Sequence, residues 1–204
     1  MKLKTIPYPD YERNLPQSGK HILAQLRGEN IIVYQAFNPH IADYALKNQQ
    51  FGGPHYSFSR MSWIKPNFLW MMYRAGWASK SGQERILAIE IGLDRFKSIF
   101  NQAVISSYQQ DLYETRVLWT DAVKNSEVRL QWDPDHDPYG QKLERRAVQL
   151  GMKGQVLKSF ATEWIVSIED ISDFVARQKV FVDSKDLKNL QVAQEQVVQT
   201  GFSA

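Results

Sequence analysis

The 204-residue chain contains no cysteine, which excludes disulfides and thiolate chemistry and leaves any zinc site dependent on histidine and carboxylates alone. Its four histidines, His21, His40, His55 and His136, show no paired ligand spacing. No apolar run approaches the roughly 18 residues of a membrane span. The N-terminal stretch MKLKTIPYPDYERN has no apolar core of signal-peptide length. The expectation is a cytoplasmic protein without a membrane partner. Several motifs are also missing: G-x-x-x-x-G-K-[ST], G-x-G-x-x-G, G-x-S-x-G and H-E-x-x-H. P-loop NTPases, classical dehydrogenases, serine hydrolases and zinc proteases therefore have no support. A net charge of +3 permits contact with phosphates without demanding nucleic acid.

What is present fits one soluble domain. The 43% hydrophobic and 23% charged content is ordinary for a globular chain. A chain of this length buries roughly 70% of its extended surface. There is no internal repeat and no low-complexity linker. Residues 1–19, with three prolines, read as an extended lead-in, residues 20–182 as a single domain, and residues 183–204 as a helical tail.

Ile31-Ile32-Val33-Tyr34 reads as a buried strand. Asn38-Pro39 offers an N-cap and a first-turn proline, which predicts a helix over 39–50. Pro66 opens a second helix and Gly76 closes it; Phe68 to Tyr73 leave it almost no polar face, so it should be buried on nearly all sides. Residues 85–91 read as a central strand and 94–103 as an amphipathic helix. Residues 108–119 fit helix or strand, with Val117-Leu118-Trp119 favouring strand at the end. Strands are expected over 128–132, 146–152 and 164–168, and helices over 169–178 and 186–198. Asp133-Pro134 should stop the first of these strands, making 133–140 a loop. Strands and helices without strict βαβ alternation predict an α+β fold, a mixed or antiparallel sheet with helices packed on it.

The densest feature is RMSWIKPNFLWMMYRAGWASK, residues 60–80, with three tryptophans and four cations in 21 residues. Aromatic bodies beside fixed cations suit a pocket for a planar anionic ligand such as a nucleotide. Arg60, Lys65, Arg74 and Lys80 are the candidate anion anchors. The alternative is a core helix whose flanking cations reach out to solvent. Arg74 follows a largely apolar helical run, and a guanidinium there needs an acceptor or a desolvation cost of about 2–5 kcal/mol follows. Tyr34 and Gln35 stand at a strand end before a helix, a place that often lines a ligand crevice; the alternative is a strand end whose Gln bonds to a neighbouring loop. Asp133, Asp135, His136 and Asp137 group oxygen ligands, but without a calcium-loop pattern the expectation is a solvated turn and no metal. Glu144 beside Arg145 and Arg146 reads as a surface ion pair or, functionally, as a carboxylate stabilising developing positive charge near phosphate-binding arginines. Gln149, three residues beyond Arg146 on the expected strand, should face the other way.

The phrases VYQAF, RMSWIKPNFLWMMYRAGWASKSGQERILAI, LQWDPDHDPYGQKLERRAVQLGM and WIVSIEDIS resemble a microbial family catalogued as domain of unknown function 4291, over about residues 20–175. More distantly, the order of elements is similar to the ADP-ribosyltransferase superfamily. That resemblance implies NAD as cofactor, with Tyr34 and Gln35 on the first strand and Ser62, Trp63 and Tyr73 around nicotinamide. It also implies Gln141 and Glu144 on the late loop as catalytic groups, Glu144 in the electrostatic role. Two departures stand against it: no Arg or His occupies the first strand, and the late loop reads Gln-x-x-Glu, not Gln-x-Glu. Three functions compete: an NAD-consuming transferase, an enzyme or binder of RNA or nucleotide ends, and a non-catalytic ligand-binding module. The sequence is silent on oligomeric state.

Overall fold

The computed structural model describes residues 3–199. In chain order the elements are β1 (Thr5–Pro7), α1 (Tyr8–Asn14), β2 (Gly19–Lys20), β3 (Leu23–Ala24), β4 (Leu26–Arg27), β5 (Asn30–Phe37) and α2 (Pro39–Asn48). There follow β6 (Ser62–Ile64), α3 (Phe68–Ala75), β7 (Arg85–Gly92), α4 (Leu93–Asn101), β8 (Val104–Ile105), α5 (Arg116–Asn125) and β9 (Val128–His136). The chain continues through β10 (Lys142–Met152), α6 (Gly154–Thr162), β11 (Ile165–Asp170), α7 (Ser172–Asp183), β12 (Gln191–Ala193) and β13 (Gln196–Val197).

The fold is α+β in a single domain. One sheet is antiparallel in the order β11-β7-β5-β4. The other runs β2-β10-β9-β8, with β6 also on β10, and mixes parallel edges with antiparallel centre strands. Alternation along the strands explains how they stack. Ile31, Val33, Leu87 and Ile89 from the first sheet meet Ile64, Leu130, Val148 and Leu150 from the second in one core, joined by α2, α4 and α6. Ile32, Tyr34, Ile86 and Ala88, on the other face of the first sheet, form a second core with α3, α7 and both ends of the described chain. β5 is thus buried on both faces, which is why its sequence is almost continuously apolar. Each fully buried Ile or Leu contributes about 1.5–3 kcal/mol.

Local signals hold at several places. Asn38 accepts from the Ile41 amide at 3.0 Å and caps α2. Gly76 ends α3 in the left-handed region at φ 57. Other expectations change. Pro66 lies outside α3; Asn67 caps it instead, accepting from the Trp70 amide at 2.6 Å. Tyr73 and Arg74 are exposed, so the helix is buried on its inner side only. Val117-Leu118-Trp119 is the start of α5 and not a strand, because Thr115 caps the Leu118 amide at 3.2 Å. β9 continues through Pro134 to His136: the proline pairs with Arg146 beside a register shift in β10, where a missing ladder donor is tolerated. Only Asp137–Gly140 remains a turn, with Asp137 accepting from the amides of Tyr139 and Gln141.

The lead-in contains a helix, α1, because Pro9 falls in its first turn, where no amide is needed. The expected helix over 186–198 is replaced by two short strands. β12 pairs with β1 and β13 with β3, and Leu190, Val192 and Ala193 are fully buried, so non-local pairing overrides helix-compatible spacing. Residues 200–204 of that tail lie outside the described residues. α6 has no counterpart among the expectations. No helix among the described residues is long and apolar enough to cross a membrane.

Candidate functional site

The two sheets are stitched together by residues 62–65. Ser62, Trp63 and Ile64 pair with Met152, Gly151 and Leu150 of β10. The next residue, Lys65, pairs instead with Tyr34 of β5, through backbone bonds of 2.7 and 3.2 Å. Ile64 goes into the main core, so its neighbours Trp63 and Lys65 point to the opposite face. The same parity puts Gln149 and Gly151 of β10 there, together with Arg129, Gln131 and Asp133 of β9, since Val148, Leu150, Val128, Leu130 and Trp132 serve the core. The result is a polar ledge at the seam of the sheets, bordered by α3.

Gly151 is required by the ledge. A Cβ at that position would stand 2.8 Å from the Trp63 ring and 2.7 Å from Met61 Sδ. Without it the indole rests directly on the strand. Gln35, at the end of β5, donates to Ser62 Oγ at 2.7 Å and to the Trp63 carbonyl at 3.1 Å. Its Oε1 is buried without a partner among the described residues.

Lys65 dominates the electrostatics. Only 7% of it is exposed, and no hydrogen-bond acceptor reaches its ammonium among the described residues. Burial lowers its pKa to about 7, helped by repulsion from Arg74 and opposed by attraction to Asp133. Asp133 is oriented by two amides, Gln131 Nε2 and Gln149 Nε2, each at 2.8 Å. Arg74 is exposed, 5.9 Å from the centre of the Trp70 ring. None of Arg60, Lys65, Arg74 and Lys80 has a carboxylate within ion-pairing distance among the described residues, whereas Arg27, Arg85 and Arg145 all do. Lys80 plays a structural part, donating to the Arg74 carbonyl at 2.6 Å and covering the end of α3.

Beside the ledge, His136 stacks on Tyr73 with ring centres 3.5 Å apart and on Trp70 at 5.2 Å. Both His136 nitrogens and Trp70 Nε1 are buried without a hydrogen-bond partner among the described residues. Burial lowers the His136 pKa, against the attraction of Asp135, and so disfavours the charged ring. α3 itself is fixed at its N-terminus. Glu195 accepts from the Phe68 amide at 2.6 Å, from Tyr11 Oη at 2.8 Å and from Asn67 Nδ2 at 3.1 Å.

The structure brings Trp63 and Lys65 together on the ledge, with Arg74 within electrostatic reach of Lys65, whereas Gln35 and Ser62 bond to each other on the core-facing side of the same strands. Tyr34 is not among them: its ring lies in the second core against Phe68, and it has no exposed surface. Gln141 and Glu144 are exposed at the start of β10. Glu144 lies five positions before Gln149 on β10, about 16 Å in extended strand. Arg145 does not pair with Glu144 but with Asp135 and Glu12. Arg60 is exposed. The carboxylates of 133, 135 and 137 do not converge, and no cluster of metal-ligating groups exists among the described residues. Asp133, Gln131 and Gln149 are ledge members that spacing alone did not assign to a site. Their signal was present as polar alternation in Arg129-Leu130-Gln131-Trp132-Asp133.

The family described as Domain of unknown function (DUF4291) matches residues 21–198. The chain belongs to this family. No curated protein matches it. The whole seam, from β5 through α3 to β10, falls within the matched part of the DUF4291 domain, as do both sheets apart from the two-residue strand β2.

Proposed function

We propose that the DUF4291 domain is a cytoplasmic nucleotide-binding protein whose ligand lies on the ledge at the seam. NAD is the ligand to test first, and transfer of its ADP-ribosyl group is the chemistry suggested by the resemblance to ADP-ribosyltransferases. One observation carries the reading: Lys65 is a buried residue whose amine meets no acceptor among the described residues, beside Arg74 and on the same face as the Trp63 indole. An anion supplies the missing partner for the amine, and the indole face receives a planar ring.

In the transfer step the bond between nicotinamide nitrogen and ribose C1′ breaks, nicotinamide leaves with the bonding pair, and positive charge builds on the sugar. A carboxylate beneath that charge stabilises it. Asp133 shares the face with Lys65, while Glu144 sits about 16 Å along the strand from Gln149; Asp133 is therefore the residue this reading assigns.

The test is a thermal-shift and calorimetric comparison of NAD, ADP-ribose, ATP and a short RNA at pH 7. A ligand at 100 times its dissociation constant stabilises by about 2.7 kcal/mol. NAD and ADP-ribose should produce that shift and Lys65→Met should remove it. Asp133→Asn should stop NAD consumption with binding intact, and Glu144→Gln should do neither. Equal shifts in wild type and Lys65→Met reject the site; a response to RNA alone, weakening steeply with salt, replaces the nucleotide with single-stranded nucleic acid. Absence of any response leaves a non-catalytic module.

A further inference from the structure

A second hollow lies at the free edge of β9, where Gln131 borders both it and the ledge. β8 covers β9 only at Arg129 and Leu130, so among the described residues the edge of β9 beyond Leu130 carries no strand. Two cavities open there, of about 500 Å³ and about 310 Å³, and both are lined by Lys20, Ile105, Gln109 and Trp132. They form one groove. Its larger lobe has an apolar floor of Phe100, Ala103, Ile105, Leu130 and Trp132, with Leu112, which is 63% exposed, at the mouth. The smaller lobe is polar and holds Arg146 next to Lys20. Neither cation has a carboxylate within ion-pairing distance or a side-chain hydrogen bond among the described residues. The one acid in the lining, Asp111, belongs to the larger lobe. The charge is therefore divided along the groove, with the positive end beyond the apolar floor.

We infer that this groove binds a small amphipathic anion, an aromatic or aliphatic body bearing one acidic head group, with the head between Lys20 and Arg146 and the body on Trp132 and Leu130. The volume is in the range of small-molecule sites, which pair an apolar lining with a few placed polar groups. Water on the apolar floor has few partners and is released by the body. The head group gains two cations that otherwise face solvent. Asp111 repels an acidic head from the other end and so fixes the orientation. An exposed leucine at the mouth of such a hollow extends the apolar contact.

The probe is 8-anilinonaphthalene-1-sulfonate, an apolar fluorophore with one anionic group, titrated onto the full chain. Saturable binding at one site per chain is expected, competed by laurate and not by laurylamine. The double variant Lys20→Glu/Arg146→Glu changes two exposed side chains, and unfolding curves check that its fold is kept. It should weaken binding at least about tenfold, equivalent to 1.4 kcal/mol. Leu112→Asp, also at an exposed position, should weaken it independently. Lys65→Met should leave it unchanged, which separates this groove from the nucleotide ledge. No saturable binding, equal competition by the amine, or full affinity in the charge-reversed variant would overturn the inference.

Discussion

Arg145 and Lys65 are both buried cations, and the protein handles them in opposite ways. Arg145 is 1% exposed and fully partnered: its guanidinium donates to Asp135 at 2.6 Å and in a fork to both Glu12 oxygens at 3.1 Å. Burial disfavours its charge, but Asp135, Tyr11 and Glu12 together outweigh that and hold the pKa above the ordinary value. Lys65 has no such partner, and burial wins, bringing it to about 7. The first cation fastens α1 onto the hairpin of β9 and β10. The second is left uncompensated beside an oriented carboxylate and an indole. A buried charge with every donor satisfied serves structure; the one without an acceptor is the feature on which the nucleotide proposal rests.

That contrast breaks most plainly in stability measurements. Arg145→Met leaves Asp135 buried and unpaired and should cost about 3–5 kcal/mol in urea unfolding. A loss below about 1 kcal/mol would mean that the pair fastens nothing.

Lys65→Met should show the reverse behaviour and a pH dependence of definite sign. The folded pKa of Lys65, about 7, lies below its ordinary value of 10.5. Between these values the unfolded chain holds the proton and the folded chain does not, so stability rises with pH from about 7 to 10.5 and is flat for this group outside that window. Wild type should therefore be least stable relative to Lys65→Met at pH 7 and below, with the gap closing by about 3–5 kcal/mol toward pH 10.5. Taking the difference cancels Tyr8, Tyr11 and Tyr34, whose burial raises their pKa values in both proteins. A gap independent of pH would place the ammonium in water.

Gly151→Ala sharpens the Lys65 side of the comparison. The added methyl meets the Trp63 ring, so a loss of about 1–3 kcal/mol is expected, together with a shift in tryptophan emission as the indole lifts. Unchanged emission would show that the indole does not rest on the strand. The smallest effect belongs to Lys80→Ala, which removes a cation from the end of α3 and should cost about 0.3–1 kcal/mol, decreasing with added salt. A cost that ignores salt would assign Lys80 to packing.

The composition and short-range patterns of this chain determined the α+β class, the cap at Asn38, the glycine end of α3 and the core strands β5, β7 and β9. Each rests on neighbours within a few residues, where periodicity and capping chemistry act directly. They also marked residues 60–80 as a place where cations and aromatic rings crowd together. Only the tertiary structure decided that Lys65 lies on the ledge while its partner Tyr34, on the same face, packs into the second core, that Arg145 finds Glu12 across 133 positions, and that Glu195 holds the N-terminus of α3. It also decided that the last described residues form strands. Those outcomes depend on which distant group satisfies a buried donor or acceptor, and that choice is made by sheet pairing and packing between segments far apart in the chain.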